Sequence, residues 1–340
     1  LFDLFPEDAK DCPTLKTQVA KDDLFWLAGE SKSIKVPSWL MPKSLHNKGN
    51  YIISLGELCQ WISEKAMELG VDIFPGFPAQ SYIKDESGRV NGISTGDMGI
   101  DKEGNQKGTY TPGMDILAKQ TIFAEGARGH LGKQLIKEFN LDEGKTPQHF
   151  AIGFKEVWEV ENDMHSAGDV VHTMGWPLNE GTTGGGFLYH FGNKRIAVGL
   201  IVDLNYTNPS HSPFQEFQQF KKHPKIKQFL ESGKRVSYGA RAITKGGINS
   251  LVKMDFNGGM IIGCDAGTLN PSKIKGSHCA LQSGILAAEY INKILSEEIC
   301  EFDDLFKNSS LYKELYKSRN FSAAMHKFGF YLGAAYNFIE

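Results

Sequence analysis

Two apolar segments that each run into glycine set the main limit on how this chain folds. The first, residues 121–124, leads into Gly126, and the second, residues 259–262, leads into a glycine and then Asp265. Glycine at the carboxyl end of a strand in an open α/β sheet lets a ligand approach the backbone closely. The first segment alone also fits an ordinary strand-to-helix turn. Together, the two segments predict an α/β protein with a ligand site at the ends of two neighbouring strands.

Asp265 is the residue that makes this pattern specific. A carboxylate at a strand end accepts hydrogen bonds from ligand hydroxyls, such as those of the ribityl chain of a flavin. The alternative is a purely structural role for Asp265.

The start of a long helix, predicted for residues 277–295, is the third part of the pattern. Residues from Asn270 to Gly276 lead into Ser277 at the start of this helix. The free N–H groups and the positive dipole end of a helix favour negative charge, such as that of a reduced flavin. Taken alone, this start also fits a capped surface helix. In the order strand, strand and helix start, the three parts predict a flavin site.

Composition excludes several other classes of protein. The chain has 340 residues, which favours two domains, and a formal net charge of −3, which gives no basic field for nucleic acid. No apolar run reaches the roughly 18 residues that a membrane span needs. The five cysteines are scattered without a CxxC pair, so neither a disulfide framework nor a zinc site is expected, and no metal ligand is assigned.

A strand-rich segment separates the two glycine-ended strands. Gly126 and Asp265 are 139 residues apart, and residues 151–203 between them have strand patterns with a hairpin around 192–194. A helix follows at 213–231. A nucleotide-binding domain interrupted by a β-rich domain fits this order.

The beginning of the chain is expected to be irregular up to residue 50, because short apolar clusters alternate there with prolines. Ser54 is a predicted N-cap for a helix that ends at Gly70. Residues 71–74 are then predicted to form a short strand.

Seven segments, in order over nearly the whole chain, resemble those of the electron-transfer flavoprotein:ubiquinone oxidoreductase family. They are residues 121–126, 175–178, 184–190, 238–242, 263–270, 273–278 and 313–320. The resemblance implies an electron-transferring-flavoprotein dehydrogenase that passes electrons from reduced electron-transfer flavoprotein through FAD and a 4Fe-4S cluster to ubiquinone. It also implies monotopic membrane association, on the cytoplasmic face of a bacterial inner membrane or the matrix face of the mitochondrial inner membrane.

The fold implied by the resemblance is α/β (α+β): a discontinuous, glutathione-reductase-like FAD-binding domain with an inserted antiparallel β-rich ubiquinone-binding domain. Residues 51–147 and 232–300 are expected in the FAD-binding domain, and residues 148–231 in the inserted domain. The family's N-terminal GxGxxG segment and its ferredoxin-like domain with four cluster cysteines are not found in this sequence. The chain therefore resembles a central fragment, which is expected to be inactive on its own.

Site residues follow from the resemblance, position by position. Ubiquinone is expected at Gly184 and Gly185, for which a flexible turn before a strand is the alternative. The side chain of Asn270 is expected at the edge of the flavin ring. No residue is assigned as catalytic, because the protein is expected to supply positioning and electrostatics. The residues expected to bind FAD are Gly126, Asp265, Gly267, Asn270, Gly276 and Ser277.

Membrane contact is expected at both ends of the chain, in residues 1–50 and in a helical segment at 301–340. The apolar, aromatic-rich run at 328–339 is too short to span a membrane but suits an element lying in the interface. A core helix is the alternative for this run.

Three other functions remain open on the sequence. The chain could be part of a FixC-type quinone reductase or of a geranylgeranyl reductase, which lack a fused cluster domain. It could also be a non-catalytic, membrane-associated remnant without cofactors.

Overall fold

A computed structural model describes residues 1–41, 43–161, 163–178, 181–321, 323–324 and 327. The chain divides into two compact units, each built from two segments. Unit 1 comprises Leu1–Ile73 and Phe150–Ala242, and unit 2 comprises Phe74–His149 and the residues from Ile243 onward.

The described residues form 17 strands and eight α-helices. The strands are β1 (Thr17–Gln18), β2 (Lys21–Leu27), β3 (Ser33–Val36), β4 (Tyr51–Ile52), β5 (Ala79–Lys84), β6 (Val90–Thr95), β7 (Met98–Ile100), β8 (Gln106–Thr111), β9 (Asp115–Leu117), β10 (Thr121–Phe123), β11 (Phe150–Glu159), β12 (Asp169–Gly175), β13 (Gly184–His190), β14 (Arg195–Asp203), β15 (Lys234–Thr244), β16 (Asp255–Phe256) and β17 (Gly259–Ile261). The helices are α1 (Leu55–Glu68), α2 (His130–Glu138), α3 (Pro213–Lys222), α4 (Pro224–Leu230), α5 (Gly263–Ala266), α6 (Ser277–Leu295), α7 (Phe302–Asn308) and α8 (Ser310–Lys317).

Unit 1 is organised by a seven-stranded sheet in the order β15-β11-β14-β13-β12-β2-β3. Strands β13 and β14 form the predicted antiparallel hairpin, and β12 pairs with β2 in parallel. Because side chains alternate between the two faces of a strand, Leu188 of β13 packs into a core with Phe217 and Phe220 of α3, while Phe187 and Tyr189 lie on the opposite face.

Unit 2 contains the two glycine-ended strands. β10 and β17 pair in parallel, with Ile122 opposite Met260, so the prediction that these segments are neighbours in one sheet is confirmed. Helix α2 follows β10 after a short turn, and α5 and α6 follow β17. Phe123, Met260 and Ile261 are buried in the core of this unit. Both strands therefore end on the side where α2 and α5 begin.

Short capping and proline patterns in the sequence predicted where several helices begin or end. Ser54 caps α1 by accepting a hydrogen bond from the backbone N–H of Glu57, and Gly70 follows the helix with a φ of 87°, as predicted. Pro224 divides the helical segment after residue 212 into α3 and α4. Helix α6 spans the predicted residues, Ser277–Leu295.

Two expectations about the beginning of the chain are wrong. Residues 1–50 are not irregular, because β2 and β3 extend the large sheet of unit 1. Residues 71–74 form no strand: Val71 and Phe74 are 52% and 64% exposed, and this segment pairs with no strand among the described residues. An apolar run needs a neighbouring edge to become a strand, and its own sequence does not show whether one is present.

The two units also divide the chain differently from the predicted domains. Residues 51–73 group with unit 1, although they were expected in the FAD-binding part, and the strands of residues 1–50 lie there too. The described part of 301–340 packs within unit 2, where Phe302 joins the core. No helix among the described residues has the length and apolar character needed to cross a membrane.

Candidate functional site

The candidate flavin site is built where β10 and β17 end in unit 2. After β10, the Glu125 carboxylate accepts hydrogen bonds from the backbone N–H groups of Leu131 and Gly132, both at 2.8 Å. These are orphan donors of the first turn of α2, so Glu125 caps that helix from the strand side. The sequence pattern alone did not indicate this role for Glu125.

Asp265 lies in α5, directly after β17, and is only 7% exposed. One carboxylate oxygen, Oδ1, accepts a hydrogen bond from the backbone N–H of Gly129 at 3.2 Å. The other, Oδ2, is buried and has no hydrogen-bond partner within the described part of the chain. Burial, followed by the negative charge of Glu125, raises the pKa of Asp265 to about 6. A buried acceptor without a partner is costly unless a ligand donates to it.

Glycines around Asp265 leave room for its carboxylate. A Cβ on Gly129 would lie 2.6 Å from Asp265 Oδ1, and one on Gly132 would lie equally close to the same group. Gly267 ends α5 with a φ of 99°, a conformation that suits glycine. Gly126 has a φ of 85° and open space on the side where a Cβ would be. The backbone after β10 is therefore open at Gly126, whereas a Cβ on Gly267 after β17 would lie 2.5 Å from Gln148 Nε2. Ligand contact with the backbone after either strand stays a prediction.

Helix α6 begins beside this group. Gly276 is its N-cap, without a side chain that caps the helix, and Ser277 is its first residue, with no acidic side chain in the first turn. A Cβ on Gly276 would lie 3.5 Å from Cys264 Sγ, which places the helix start against α5. The backbone N–H of Gly263 also donates to Ser283 Oγ at 3.0 Å. The start of α6, at Gly276 and Ser277, thus lies close to Asp265 of α5.

Asn270 has an internal structural task in this unit. Its Oδ1 accepts hydrogen bonds from the backbone N–H and hydroxyl of Ser272 and from the backbone N–H of Lys273. Its Nδ2 donates to Glu314 Oε1 at 2.9 Å. The carbonyl end of the side chain is therefore used within the loop before α6, and a contact between the amide and a flavin ring stays a prediction.

Glu314 of α8 is the residue that sequence reasoning missed. Its carboxylate accepts hydrogen bonds from Lys273 Nζ at 2.8 Å, His278 Nε2 at 2.7 Å and Asn270. Burial raises the pKa of Glu314, but the hydrogen bonds from Lys273, His278 and Asn270 outweigh it and hold the pKa at about 2. A glutamate on an amphipathic helix gives no sequence signal of such contacts, although it lies in a segment that carried the family resemblance.

His278, Cys279 and Glu314 place three potential ligand atoms within 4.8 Å of one another. Burial, followed by the Glu314 carboxylate, raises the pKa of the Cys279 thiol to about 12, so this thiol stays protonated. The ammonium of Lys273 already balances the carboxylate. We therefore assign no metal to this group.

The glycine pair expected to bind ubiquinone lies in unit 1, at the start of β13. The pair is inside a strand, so the alternative of a flexible turn is wrong. A Cβ on Gly185 would lie 2.7 Å from the Thr173 carbonyl oxygen, and one on Gly184 would meet the Ile201 carbonyl oxygen. Close approach of neighbouring backbone therefore explains both glycines without a ligand, and their role in quinone binding stays a prediction.

Comparison with known proteins gives a family-model match and several similar sequences. Residues 150–243 match a family model described as ETF-QO, ubiquinone-binding. The chain is 56% identical, over its whole length, to the electron transfer flavoprotein-ubiquinone oxidoreductase of Pseudomonas aeruginosa and covers 63% of that protein. It is 45% identical, over 98% of its length, to the mitochondrial protein of the same name from Homo sapiens and covers 56% of it. The chain thus spans less than two thirds of these relatives.

Solved structures share the fold at low sequence identity. A geranylgeranyl bacteriochlorophyll reductase-like protein of Thermoplasma acidophilum matches 99% of the chain and 76% of its own length, with a TM-score of 0.69 and 16% identity. A flavoprotein/dehydrogenase of Cytophaga hutchinsonii matches 96% of the chain and 74% of its own length, with a TM-score of 0.63 and 14% identity. The predicted α/β class is thereby confirmed, as a mixed fold with several sheets. On the much higher identity to its sequence relatives, this chain belongs to the electron transfer flavoprotein-ubiquinone oxidoreductase family.

Proposed function

We propose that the complete gene product containing this chain transfers electrons from reduced electron-transfer flavoprotein to ubiquinone, with FAD held by unit 2 and ubiquinone by unit 1. The observation that carries the FAD assignment is the buried, unpartnered Oδ2 of Asp265 at the ends of two parallel strands. The names of the relatives support the donor and the acceptor. The family model over residues 150–243 supports a quinone site in unit 1.

The residues present fit FAD. Asp265 Oδ2 is free to accept a hydrogen bond from a ribityl or ribose hydroxyl, which would remove the cost of leaving that oxygen without a partner. Gly126 exposes its backbone beside β10, and the start of α6 offers N–H groups to negative charge. When bound, FAD supplies the electron-transfer chemistry of this family.

The domain assignment is also part of the proposal. Unit 2 would correspond to a glutathione-reductase-like FAD-binding domain, and the strands of unit 1 would correspond to the inserted quinone-binding domain. The 4Fe-4S cluster would be bound by residues other than the five scattered cysteines of this sequence. The isolated chain would then be inactive.

Membrane association is also part of the proposal. Trp39 is 73% exposed, and Ile34 and Leu40 are also exposed, so unit 1 presents large apolar side chains to its surroundings. Exposed apolar clusters of this kind suit an interfacial contact. The predicted contact segment at 328–339 lies outside the described residues. The cytoplasmic face of a bacterial inner membrane, or the mitochondrial matrix face, remains the proposed location.

Replacing Asp265 by Ala in the complete gene product tests the FAD assignment. One charge-assisted hydrogen bond is worth roughly 1.5–3 kcal/mol, so the dissociation constant for FAD should rise about tenfold or more. The measurement is a titration of the FAD-free protein with FAD, followed by flavin fluorescence. Asp115→Ala, which removes an exposed carboxylate of β9 in the same unit, is the control and should leave the affinity unchanged. Equal affinities in all three proteins would refute the assignment.

A further inference from the structure

Three polar side chains from adjacent strands form a row on one face of the sheet of unit 1. The Tyr189 hydroxyl of β13 and His172 Nε2 of β12 are 2.9 Å apart, within hydrogen-bond distance. On the other side of the ring, His172 Nδ1 lies 3.7 Å from Oδ1 of Asp22 in β2. The sheet order β13-β12-β2 therefore lines up a phenol, an imidazole and a carboxylate.

The middle of this row contains two buried atoms without hydrogen bonds. Neither Asp22 Oδ1 nor His172 Nδ1 has a hydrogen-bond partner within the described residues. The second oxygen of Asp22, in contrast, accepts hydrogen bonds from the backbone N–H and the side chain of Asn47, at 2.6 and 2.9 Å. The carboxylate is thus fixed in place while one oxygen faces the imidazole. An arrangement that served only stability would leave fewer buried groups unsatisfied.

The row lies on the face of the sheet that also carries Gly185. Side chains of β13 alternate, so Gly185, Phe187 and Tyr189 share one face, while Leu188 faces the core under α3 and α4. The rings of Phe187 and Tyr189 stack with centroids 4.8 Å apart. Both side chains are only partly buried, although β13 is an interior strand. The row therefore shares a face with Gly185, with Phe187 between Gly185 and Tyr189 along β13, while Tyr189 also packs against the buried Val170.

Asp22 is the member of this row whose surroundings favour the charged form. Burial raises the pKa of Asp22, but His172 and Asn47 outweigh it and lower the pKa, which favours the carboxylate. Asp23, on the opposite face of β2, is paired with Lys21 and Lys35. Burial and the Asp22 charge raise the pKa of Tyr189, so its phenol stays protonated and able to donate.

We propose that Asp22, His172 and Tyr189 form a proton relay that protonates ubiquinone during its reduction. The proposal rests on the proposed function, because it requires that a quinone binds on the Gly185 face of unit 1. Reduction of a quinone to a quinol consumes two electrons and two protons, and the protons need a donor beside the ring. Tyr189 would be the catalytic donor, and His172 and Asp22 would act through it.

Each proton transfer balances in one step. The O–H bond of Tyr189 breaks as a new O–H bond forms on the quinone, and the phenol oxygen takes a proton from Nε2 of a His172 imidazolium. His172 becomes a neutral imidazole, and Asp22 remains ionised throughout. The imidazole then regains a proton from water. Two such steps, with two electrons from the reduced flavin of the proposed function, convert the quinone to the quinol.

The test uses the complete gene product with FAD, reduced without oxygen and mixed rapidly with a short-chain ubiquinone in H₂O and in D₂O. Tyr189→Phe should lower kcat for quinone reduction about tenfold or more, change KM little and abolish the solvent isotope effect seen in the unaltered protein. His172→Gln, which leaves the Tyr189 ring in place, should have the same effect. Tyr51→Phe, at an exposed tyrosine of unit 1, is the control. Reduction of the bound flavin by electron-transfer flavoprotein should persist in all variants.

The outcomes separate the relay from the function on which it rests. If Tyr189→Phe and His172→Gln retain the kcat and isotope effect of the unaltered protein, the relay does not exist. A rise in KM at constant kcat would make Tyr189 a binding residue and also overturn the relay. If the unaltered protein is itself not oxidised by ubiquinone, the proposed function fails, and the relay fails with it.

Discussion

Replacing Asp265 by Asn should make the FAD-free protein more stable above pH 6 and weaken its binding of FAD. Asp265 is buried, and its pKa is raised from an ordinary value of 3.8 to about 6. Its ionisation is therefore unfavourable in the folded state. At about 1.4 kcal/mol per pH unit, the folded protein loses about 3 kcal/mol of stability when this group ionises, and an amide avoids that loss.

The pH dependence fixes the sign of this effect. Because the folded state holds the proton more tightly than the unfolded state, the stabilisation is fully present below pH 3.8 and is lost as the pH rises through about 6. The advantage of Asp265→Asn should thus be largest at pH 8 and disappear near pH 4. A variant less stable than the original protein at pH 8 would contradict the burial of an ionised Asp265.

The choice of probe matters for this measurement. All five tryptophans lie in unit 1, at positions 26, 39, 61, 158 and 176, so their fluorescence does not report on unit 2. Amide hydrogen exchange of β10 and β17, followed by mass spectrometry, reports the opening of unit 2 directly. The affinity of Asp265→Asn for FAD should fall about tenfold or more in the same preparations, because the amide replaces a charged acceptor.

Replacing Glu314 by Gln should have the opposite effect on stability. The contacts of Lys273, His278 and Asn270 hold the pKa of Glu314 at about 2, against an ordinary value of 4.5. The carboxylate therefore contributes at most about 3 kcal/mol, present above pH 4.5 and lost as the pH falls through about 2. Gln has only one acceptor oxygen, so in either orientation its N–H₂ group faces a donor, Lys273 on one side or Asn270 and His278 on the other.

This loss of stability in Glu314→Gln should appear at pH 7 as faster amide hydrogen exchange in the loop before α6 and in α8. The same substitution of a carboxylate by an amide is thus expected to destabilise unit 2 at position 314 and to stabilise it at position 265. Unchanged exchange in Glu314→Gln would show that the three contacts add nothing to stability. Binding of FAD should also weaken, because the loop that Glu314 fixes leads directly into Gly276 and Ser277.

The sequence was sufficient wherever one local signal decides the structure. The cap of α1 at Ser54, the division of α3 from α4 at Pro224 and the pairing of β10 with β17 all follow from short patterns of glycine, proline and apolar residues. The placement of Asp265 after β17 followed from the same reasoning. The surroundings of its carboxylate, however, come from Gly129, which donates to Oδ1, and from Glu125, whose charge raises the pKa, and both residues are far away in the chain.

Contacts between distant residues account for what the sequence did not show. Glu314 meets Lys273 and Asn270 because α8 packs beside the loop before α6, and this packing leaves no trace in the spacing of residues. Asp22 and His172 are 150 positions apart and become neighbours only through the parallel pairing of β2 with β12. The sequence pattern also did not reveal that residues 1–50 contribute strands to the sheet of unit 1.

The most direct test of the whole account is the oxidation of the flavin by ubiquinone in the complete gene product. The protein is loaded with FAD, reduced without oxygen and mixed with ubiquinone, and flavin absorbance and quinol formation are followed together. We expect the absorbance of oxidised flavin to return with one quinol formed for each FAD. A flavin that stays reduced with ubiquinone, yet is oxidised by an artificial one-electron acceptor, would contradict the account.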